Sequence, residues 1–128
     1  MILLDVDQFK WVNDHFDHQA GDAILVELAK ILRSSIRATD SVGRWGGEEF
    51  LIILPDTDET GAMNFAEKLR MRICEAHFEK PEHITASLGV TVYRGDCQLE
   101  TIITRADHAM YAAKKAGRNQ VHRIWGLS

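Results

Sequence analysis

Apolar residues along the chain recur with two different periods, which mark strands and helices. Residues 2–6 form a short apolar run that predicts a buried strand, with Asp5 and Asp7 at its end. Apolar positions at helical spacing predict helices over 23–36, 62–73 and 99–113. Residues 8–16 are expected to form a short helix before them, with 17–22 as a connection. Alternation of apolar and polar residues predicts a strand over 84–92, and a short strand is expected near 120–124.

Two glycines separate the remaining strand-like segments. Residues 40–45 and 48–54 flank Gly46 and Gly47, and glycine accepts the positive φ that tight hairpin turns need. Residues 56–58 then supply capping side chains for the following helix. The order β-α-α-β-β-α-β-α-β, together with the antiparallel hairpin, predicts an α+β fold in which helices cover a central, largely antiparallel five-stranded sheet.

Size and composition indicate one ordinary globular domain over residues 1–128. The 128 residues are 45% hydrophobic and 27% charged, which argues against a disordered or fibrous chain. The net charge of −4 argues against broad binding to DNA.

Because no apolar run is long enough to span a bilayer, we expect a cytoplasmic domain, which segments outside this sequence could tether to the inner membrane. Cys74 and Cys97 have neither metal-ligand nor disulfide spacing.

Two pairs of acidic residues, Asp5 with Asp7 and Glu48 with Glu49, lie at predicted strand ends. Like charges brought together repel unless a cation neutralises them, and carboxylate oxygens suit magnesium. We expect the first strand in the centre of the sheet beside the hairpin, where the two pairs can converge on a metal ion. Each pair taken alone is more typical of solvated loop carboxylates.

Basic residues provide two candidate contacts for phosphate groups. Lys10 follows the step from the first strand into a helix, whose free N–H groups and dipole attract anions. Lys114 and Arg118 are four residues apart around Gly117 and can face one anion together. Taken alone, this second pair is better explained as basic residues that complement the dipole of the preceding helix.

The complete pattern resembles the GGDEF family of diguanylate cyclases, whose motif appears here as Gly46, Gly47, Glu48, Glu49 and Phe50. The resemblance covers nearly the whole chain. Further matching residues are Asp5, Val6, Asp7, Phe9, Lys10, Asn13, His18, Gly21, Asp22, Ala106, Asp107, Ala109, Met110, Tyr111, Ala113, Lys114, Gly117, Arg118 and Asn119. The resemblance implies a sheet like that of nucleotide cyclases and polymerase palms, and an enzyme that joins two GTP molecules into cyclic di-GMP with release of pyrophosphate.

The resemblance also implies roles for individual residues. Two Mg²⁺ or Mn²⁺ ions per half-site would be held by Asp5, the Val6 carbonyl and Glu48. The catalytic residues would be Glu48, Lys10 and Glu49, with Glu48 as the candidate to accept the 3′-hydroxyl proton and Lys10 steadying the α-phosphate. The residues that would bind GTP are Phe9, Asn13, His18, Asp22, Lys114 and Arg118.

Guanine selection and dimerisation are further expectations from the same resemblance. Asn13 and Asp22 would read the guanine edge, because a carboxylate can accept from both N1–H and the exocyclic amine that adenine does not present in that arrangement. Lys114 and Arg118 would clamp the β- and γ-phosphates. Since each domain of the family binds one GTP, a homodimer would have to present two nucleotides face to face. Control by a regulatory domain outside this sequence is also expected.

Arg37 and Asp40, just before the motif, look like the family's product-inhibition site for cyclic di-GMP. An arginine can bind a phosphate or a guanine edge with two parallel hydrogen bonds. Either Lys68 or Arg70 on the next helix is expected to assist, and the sequence does not choose between them. The alternative interpretation is a plain surface ion pair between Arg37 and Asp40.

Two departures from the family pattern stand out. Family members usually carry a further segment before the first strand, so we expect an N-terminally shortened domain with weaker folding or dimerisation. Asp17 stands where a glycine usually precedes the histidine, and aspartate is expected to tolerate the left-handed conformation there. The rival hypotheses are an inert module that senses GTP or cyclic di-GMP, and an interaction domain that keeps only the fold. Intact Glu48 and Asp22 favour the enzyme.

Overall fold

The structure, a computed structural model, describes residues 1–95 and 97–125. The strands in this part of the chain are β1 (Ile2–Val6), β2 (Ser41–Arg44), β3 (Glu49–Ile53), β4 (Ala86–Val90) and β5 (Val121–Arg123). The helices are α1 (Phe9–His15), α2 (His18–Ser35), α3 (Glu59–Glu75) and α4 (Leu99–Lys115). The predicted order of strands and helices is confirmed.

The strands form one five-stranded sheet in the order β2-β3-β1-β4-β5. All neighbouring strands are antiparallel except β4 and β5, which are parallel. The predicted α+β fold with a largely antiparallel sheet is therefore confirmed. The first strand lies in the centre beside the β2–β3 hairpin, and Asp5 is directly opposite Glu49 in the register of β1 and β3.

Side chains of β1 alternate between two covered faces of the sheet, because successive residues of a strand point to opposite sides. Ile2, Leu4 and Val6 pack in the main core with the apolar faces of α2 and α3. Leu3 packs on the other face with Ala106 and Met110 of α4. The odd-numbered positions of β1 therefore face α4, and Asp5 is one of them.

Helix α4 lies unusually close to β4 at Gly89. A Cβ atom at this position would lie 2.1 Å from the Ala106 carbonyl oxygen and 2.3 Å from the Met110 nitrogen. Backbone atoms on both sides leave no room for a side chain, so this strand position requires glycine. The close contact holds the whole of α4 against the sheet.

The predicted connection over 17–22 is wrong, because α2 begins at His18 and not near Ala23. Asp17 caps the helix by accepting a hydrogen bond from the Ala20 N–H at 2.7 Å. Its φ of 177° is extended, so the expected left-handed conformation is also wrong. The cap on α3 was correctly expected, since Asp58 accepts from the Gly61 N–H at 2.8 Å.

None of the helices in the described part of the chain combines the length and the apolar character needed to cross a membrane. Within the same residues, Cys74 and Cys97 form no disulfide.

Candidate active site

Three carboxylates converge where the end of β1 meets the start of β3. Asp5 is buried, with 6% of its surface exposed, and it pairs across the sheet with Glu49. The Val6 N–H donates to the Glu48 carbonyl at 3.2 Å, which ties the end of β1 to the hairpin turn. Burial raises the pKa of Asp5 to about 6, and the negative charges of Glu48 and Glu49 add to this rise.

Helix α4 brings a cation and a further acid to the same place. The Lys114 ammonium lies 3.0 Å from Asp5 Oδ1, a buried oxygen without a hydrogen bond of ordinary geometry. Asp107 lies two turns earlier on the helix. The pKa of Glu49 is raised, first by burial and next by the charge of Asp107. Acidic groups thus surround a single ammonium ion, which partly offsets their repulsion.

The predicted metal ligands fit a divalent cation. The described residues contain no group of three or more His, Cys, Asp and Glu side chains arranged to hold a metal ion. The predicted ligands do not need such a group, because they combine the carboxylates of Asp5 and Glu48 with the Val6 carbonyl. An oxygen-only set suits Mg²⁺. A bound metal ion would replace the Lys114 ammonium as the partner of the buried Asp5 Oδ1.

The raised pKa of Asp5 makes the stability of the metal-free protein depend on pH. The stability that protonated Asp5 contributes is fully present below the ordinary pKa near 4 and is lost as the pH rises through about 6. The free energy of unfolding should change by at most about 2 kcal/mol over this pH range, because the carboxyl keeps some hydration. Asp5→Asn should remove this part of the pH dependence. Urea unfolding in EDTA at about pH 5 and about pH 7.5 measures it. An equal pH difference in both proteins would contradict the expectation.

The hairpin turn is held from the side by Arg44, a residue without a predicted role. Its guanidinium donates to the carbonyl oxygens of Gly47, at 2.6 and 3.1 Å, and of Gly46, at 3.3 Å. Neither glycine has a positive φ, so the reason given for a glycine turn is wrong. A Cβ at Gly47 would meet no atom within 4 Å. The missing side chain at Gly47 instead leaves open space at the turn beside Glu48, whereas a Cβ at Gly46 would contact the Glu49 side chain.

The predicted guanine-binding residues lie where α1 packs on α2. A Cβ at Gly21 would lie 2.0 Å from Asn13 Oδ1 and 3.0 Å from Phe9 Cζ, so glycine permits this contact. Asn13 Oδ1 is buried without a hydrogen-bond partner. Asp22 and His18 on α2 are exposed. Asp22 also lines a groove of about 560 Å³ that extends along α2 and β2. Asn13 therefore has unused hydrogen-bonding capacity near an exposed carboxylate.

Gly21→Ala tests the predicted guanine site, and we expect this substitution to weaken GTP binding without unfolding the protein. The new methyl group displaces the Asn13 amide, whereas alanine favours the helix by about 1 kcal/mol over glycine and so offsets part of the cost. We expect a GTP affinity lower by about tenfold, as for one lost hydrogen bond to the ligand. Titration calorimetry measures it, with thermal unfolding as the control. An unchanged affinity would show that Asn13 does not bind the nucleotide.

The predicted phosphate contacts lie at the ends of two helices. Lys10 is exposed in the first turn of α1, and the N-cap residue Gln8 before this helix has a left-handed φ of 56° and provides no side-chain cap. Arg118 is exposed just beyond α4, with a left-handed φ of 64°. Lys114 reaches Asp5, as described above. Phe9 is half-buried, and its ring packs against the core.

The predicted pair of Arg37 and Asp40 is formed. Arg37 Nη2 lies 3.3 Å from Asp40 Oδ1, and the Arg37 backbone N–H donates to Asp40 Oδ2 at 2.8 Å. The Arg37 guanidinium also donates to Thr57 Oγ1 at 3.1 Å. Asp40 is buried, and the pair lines a pocket of about 440 Å³. Both the ion pair and a surface that could accept a ligand are therefore present.

Most of the sequence matches a family model. The model for the diguanylate cyclase GGDEF domain matches residues 1–120. The chain belongs to the GGDEF family. The resemblance seen in the motif around Gly46 to Phe50 is thereby confirmed.

This GGDEF domain is similar in sequence to domains of longer proteins. It is 42% identical over 124 residues to the diguanylate cyclase DgcP of Pseudomonas aeruginosa. The aligned region covers 94% of this chain and 18% of DgcP. It is 41% identical over 126 residues to the response regulator PleD of Caulobacter vibrioides, and this aligned region covers 94% of this chain and 28% of PleD. The chain thus spans less than a third of the length of these two curated relatives.

Solved structures of GGDEF domains have the same fold. The active GGEEF domain of a diguanylate cyclase from Vibrio cholerae superposes with a TM-score of 0.89 at 41% identity, covering 99% of this chain and 82% of that one. The GGDEF domain of DgcB from Caulobacter crescentus, in complex with c-di-GMP, superposes with a TM-score of 0.89 at 29% identity, covering 95% of this chain and 75% of that one.

Two residues of this GGDEF domain gain a role that the sequence did not assign, since Arg44 holds the turn and Asp107 adds to the acidic cluster. The expected convergence of Asp7 with the other acidic residues on a metal ion is not seen, because both oxygens of its carboxylate accept hydrogen bonds, from Thr85, Ser87 and the Asn119 backbone. The role of Asp107 could have been found from the sequence, because Asp107 and Lys114 are seven residues apart and so share a face of α4.

Proposed function

We propose that this GGDEF domain is the catalytic part of a diguanylate cyclase, which condenses two GTP molecules into cyclic di-GMP and releases pyrophosphate. The observation that carries the proposal is the buried Asp5, opposite Glu49 and paired with the Lys114 ammonium at 3.0 Å. Such a cluster repels itself in the absence of cations. It suits a site that receives divalent metal ions together with a negatively charged triphosphate.

Each condensation forms one phosphorus–oxygen bond and breaks another. The 3′-hydroxyl oxygen of one GTP attacks the α-phosphorus of the other, the bond between the α-phosphorus and the bridging oxygen breaks, and pyrophosphate leaves. Glu48 accepts the proton of the attacking hydroxyl, and Lys10 stabilises the charge on the α-phosphate. Two bound Mg²⁺ or Mn²⁺ ions, on Asp5, the Val6 carbonyl and Glu48, would supply charge neutralisation at the reacting oxygens. A second, identical step closes the ring.

The remaining residues orient the nucleotide. Asn13 offers its unpartnered amide oxygen to a guanine donor, and the exposed carboxylate of Asp22 can accept from N1–H and the exocyclic amine. His18 is exposed one turn before Asp22 on α2, from where its imidazole would contact the same nucleotide. Lys114 and Arg118 bind the β- and γ-phosphates. In this arrangement, Lys114 exchanges its contact with Asp5 for the triphosphate when metal ions and GTP enter.

A homodimer completes the reaction, because one chain offers residues for only one nucleotide. The second GTP must come from a second copy that faces the first. A regulatory segment elsewhere in the full-length protein would control how often the two copies meet. This organisation agrees with the small share of the curated relatives that the matching domain occupies.

The decisive experiment incubates the full-length protein, verified as a dimer, with GTP and magnesium. The expected products are one cyclic di-GMP and two pyrophosphates for every two GTP consumed. Mass spectrometry of the nucleotides and an enzymatic pyrophosphate assay measure both. Binding of GTP or cyclic di-GMP without turnover would instead support the inert sensor module. Neither binding nor turnover would support a domain that keeps the fold alone.

We further propose that Arg37 and Asp40 bind cyclic di-GMP as a feedback inhibitor. The pair lines a pocket, and the arginine is partly exposed. Arg70 is already engaged by Glu67 and by Asn119 Oδ1, the latter at 2.8 Å. The exposed Lys68 is therefore the better candidate to assist.

Arg37→Ala should relieve product inhibition. The concentration of added cyclic di-GMP that halves the rate is expected to rise at least about tenfold, as for a lost charged hydrogen-bond donor, while the uninhibited rate stays the same. Arg123→Ala on the edge strand β5 is the matched control. An inhibition curve identical to that of the unmodified protein would favour the plain ion pair.

A further inference from the structure

Asp7 lies just beyond β1 and is buried, with 5% of its surface exposed. Its Oδ1 accepts a hydrogen bond from Ser87 Oγ at 2.6 Å. Its Oδ2 accepts from Thr85 Oγ1 at 2.7 Å and from the Asn119 backbone N–H at 2.9 Å. Both carboxylate oxygens are therefore occupied by protein donors. Asp7 serves as an anchor for other parts of the chain and is not a spare ligand in the acidic cluster.

The third donor belongs to a short loop in an unfavourable conformation. Arg118 and Asn119 have left-handed φ values of 64° and 49°, which cost free energy in residues other than glycine. Such a conformation persists when surrounding contacts determine it. Here the Arg118 N–H donates to the Ala113 carbonyl at 3.0 Å, and Arg70 Nη1 donates to Asn119 Oδ1 at 2.8 Å. The hydrogen bond to Asp7 is the one that ties this loop to β1.

Two contacts thus fasten the end of α4 to the same face of β1. Lys114 contacts Asp5, and Asn119 contacts Asp7 two residues further along. Asp5 and Asp7 share that face because strand side chains alternate. Arg118 lies between the two contacts in sequence. Its backbone is therefore held at both sides, although its own side chain is exposed.

We propose that Asp7 is a positioning residue for triphosphate binding. By holding Asn119, it fixes the left-handed loop so that Arg118 is presented at the same end of the sheet as Lys114. The inference rests on the proposed function, since it takes Arg118 as a ligand of the β- and γ-phosphates. Loss of the anchor removes the hydrogen bond that ties the loop to the end of β1 and weakens triphosphate binding. The guanine contacts on α1 and α2 are not touched, so GMP binding is unaffected.

The test compares two nucleotides in the full-length protein. Asp7→Asn places an amide donor where three protein donors converge. Calorimetric titration with 3′-deoxyguanosine triphosphate, which lacks the attacking hydroxyl, should show an affinity about tenfold weaker. Titration with GMP should change less than about twofold. Ser87→Ala removes one of the three donors and should give a smaller change in the same direction. Thr91→Val, which removes a buried hydroxyl outside this network, is the matched control.

A double-mutant cycle tests whether Asp7 acts through Arg118. In an Arg118→Ala background, Asp7→Asn should cause no further loss of triphosphate affinity. An equal further loss in that background, or an equal loss for GMP, would overturn the inference and indicate general structural damage. If Asp7→Asn does not fold, Ser87→Ala in the same cycle decides the question.

The same titrations separate this inference from the proposed function. If the unmodified protein binds the triphosphate no more tightly than GMP, the proposed phosphate clamp fails and the inference fails with it. If the unmodified protein prefers the triphosphate and Asp7→Asn keeps that preference, only the role of Asp7 is wrong.

Discussion

Glu48→Gln should lower the rate of cyclic di-GMP synthesis at least about a hundredfold, because it removes a metal ligand and the proposed acceptor of the hydroxyl proton in one change. The amide has the same shape as the carboxylate. The substitution also removes one of the negative charges that raise the pKa of Asp5. The folded protein should therefore be no less stable than the unmodified one. Initial rates with saturating GTP and magnesium, and urea unfolding, measure the two effects.

Glu27→Gln is the matched control for this change. Glu27 is an exposed acid on α2 that pairs only with Lys30, at 3.3 Å among the described contacts. Because an exposed ion pair contributes little, Glu27→Gln should keep the rate of cyclic di-GMP synthesis within about twofold of that of the unmodified protein. Full activity in Glu48→Gln would remove Glu48 from the catalytic site. Equal losses in both variants would point to a general effect of charge.

Gly89→Val should destabilise the domain by about 3 kcal/mol or more. Its first side-chain atom would overlap the backbone of α4, at 2.1 Å from the Ala106 carbonyl oxygen. Backbone atoms within a helix cannot move aside singly, so the helix must shift as a unit. That shift also displaces Lys114 from Asp5. We expect loss of cooperative unfolding at room temperature, or a much lower midpoint in urea.

Gly43→Val provides the comparison. Gly43 lies in β2, and a Cβ there would meet no atom within 4 Å. Valine favours strands, so this variant should be as stable as the unmodified protein or more so. Similar urea midpoints for the two valine variants would show that the close contact between α4 and β4 does not limit stability.

The sequence predicted the order of elements because the two apolar periods are strong in this chain. The run at 2–6 corresponds to the central strand β1, and the alternation at 84–92 to its neighbour β4. The alternation indicated a strand with one buried face, but β4 is buried on both faces because α4 packs against its polar side. The start of α2 was missed for a physical reason. Residues 18–22 carry polar or small side chains that lack an apolar stripe, so their helical conformation depends on the Asp17 cap and on packing at Gly21.

The candidate site was predicted from residue types, and its interactions were not. Motif positions placed Asp5 and Glu48 at neighbouring strand ends, which the register of β1 and β3 supports. The roles of Arg44 and Asp107 depend on a turn and a helix face that only folding brings together. Asp7 and Asp5 look alike in sequence, yet Asp7 accepts hydrogen bonds from Thr85, Ser87 and the Asn119 backbone, whereas Asp5 pairs with the Lys114 ammonium.

The hydrogen bond between Asp7 and Asn119 joins residues that are 112 positions apart. Contacts of such long range form slowly, because the chain must lose much of its freedom before they close. During synthesis, this bond cannot form until residue 119 has left the ribosome. The hairpin and its carboxylates can therefore assemble well before the loop that carries Arg118. Nascent domains would therefore pair Asp5 with Glu49 before α4 and the loop after it could contribute Lys114 and Arg118 to triphosphate binding.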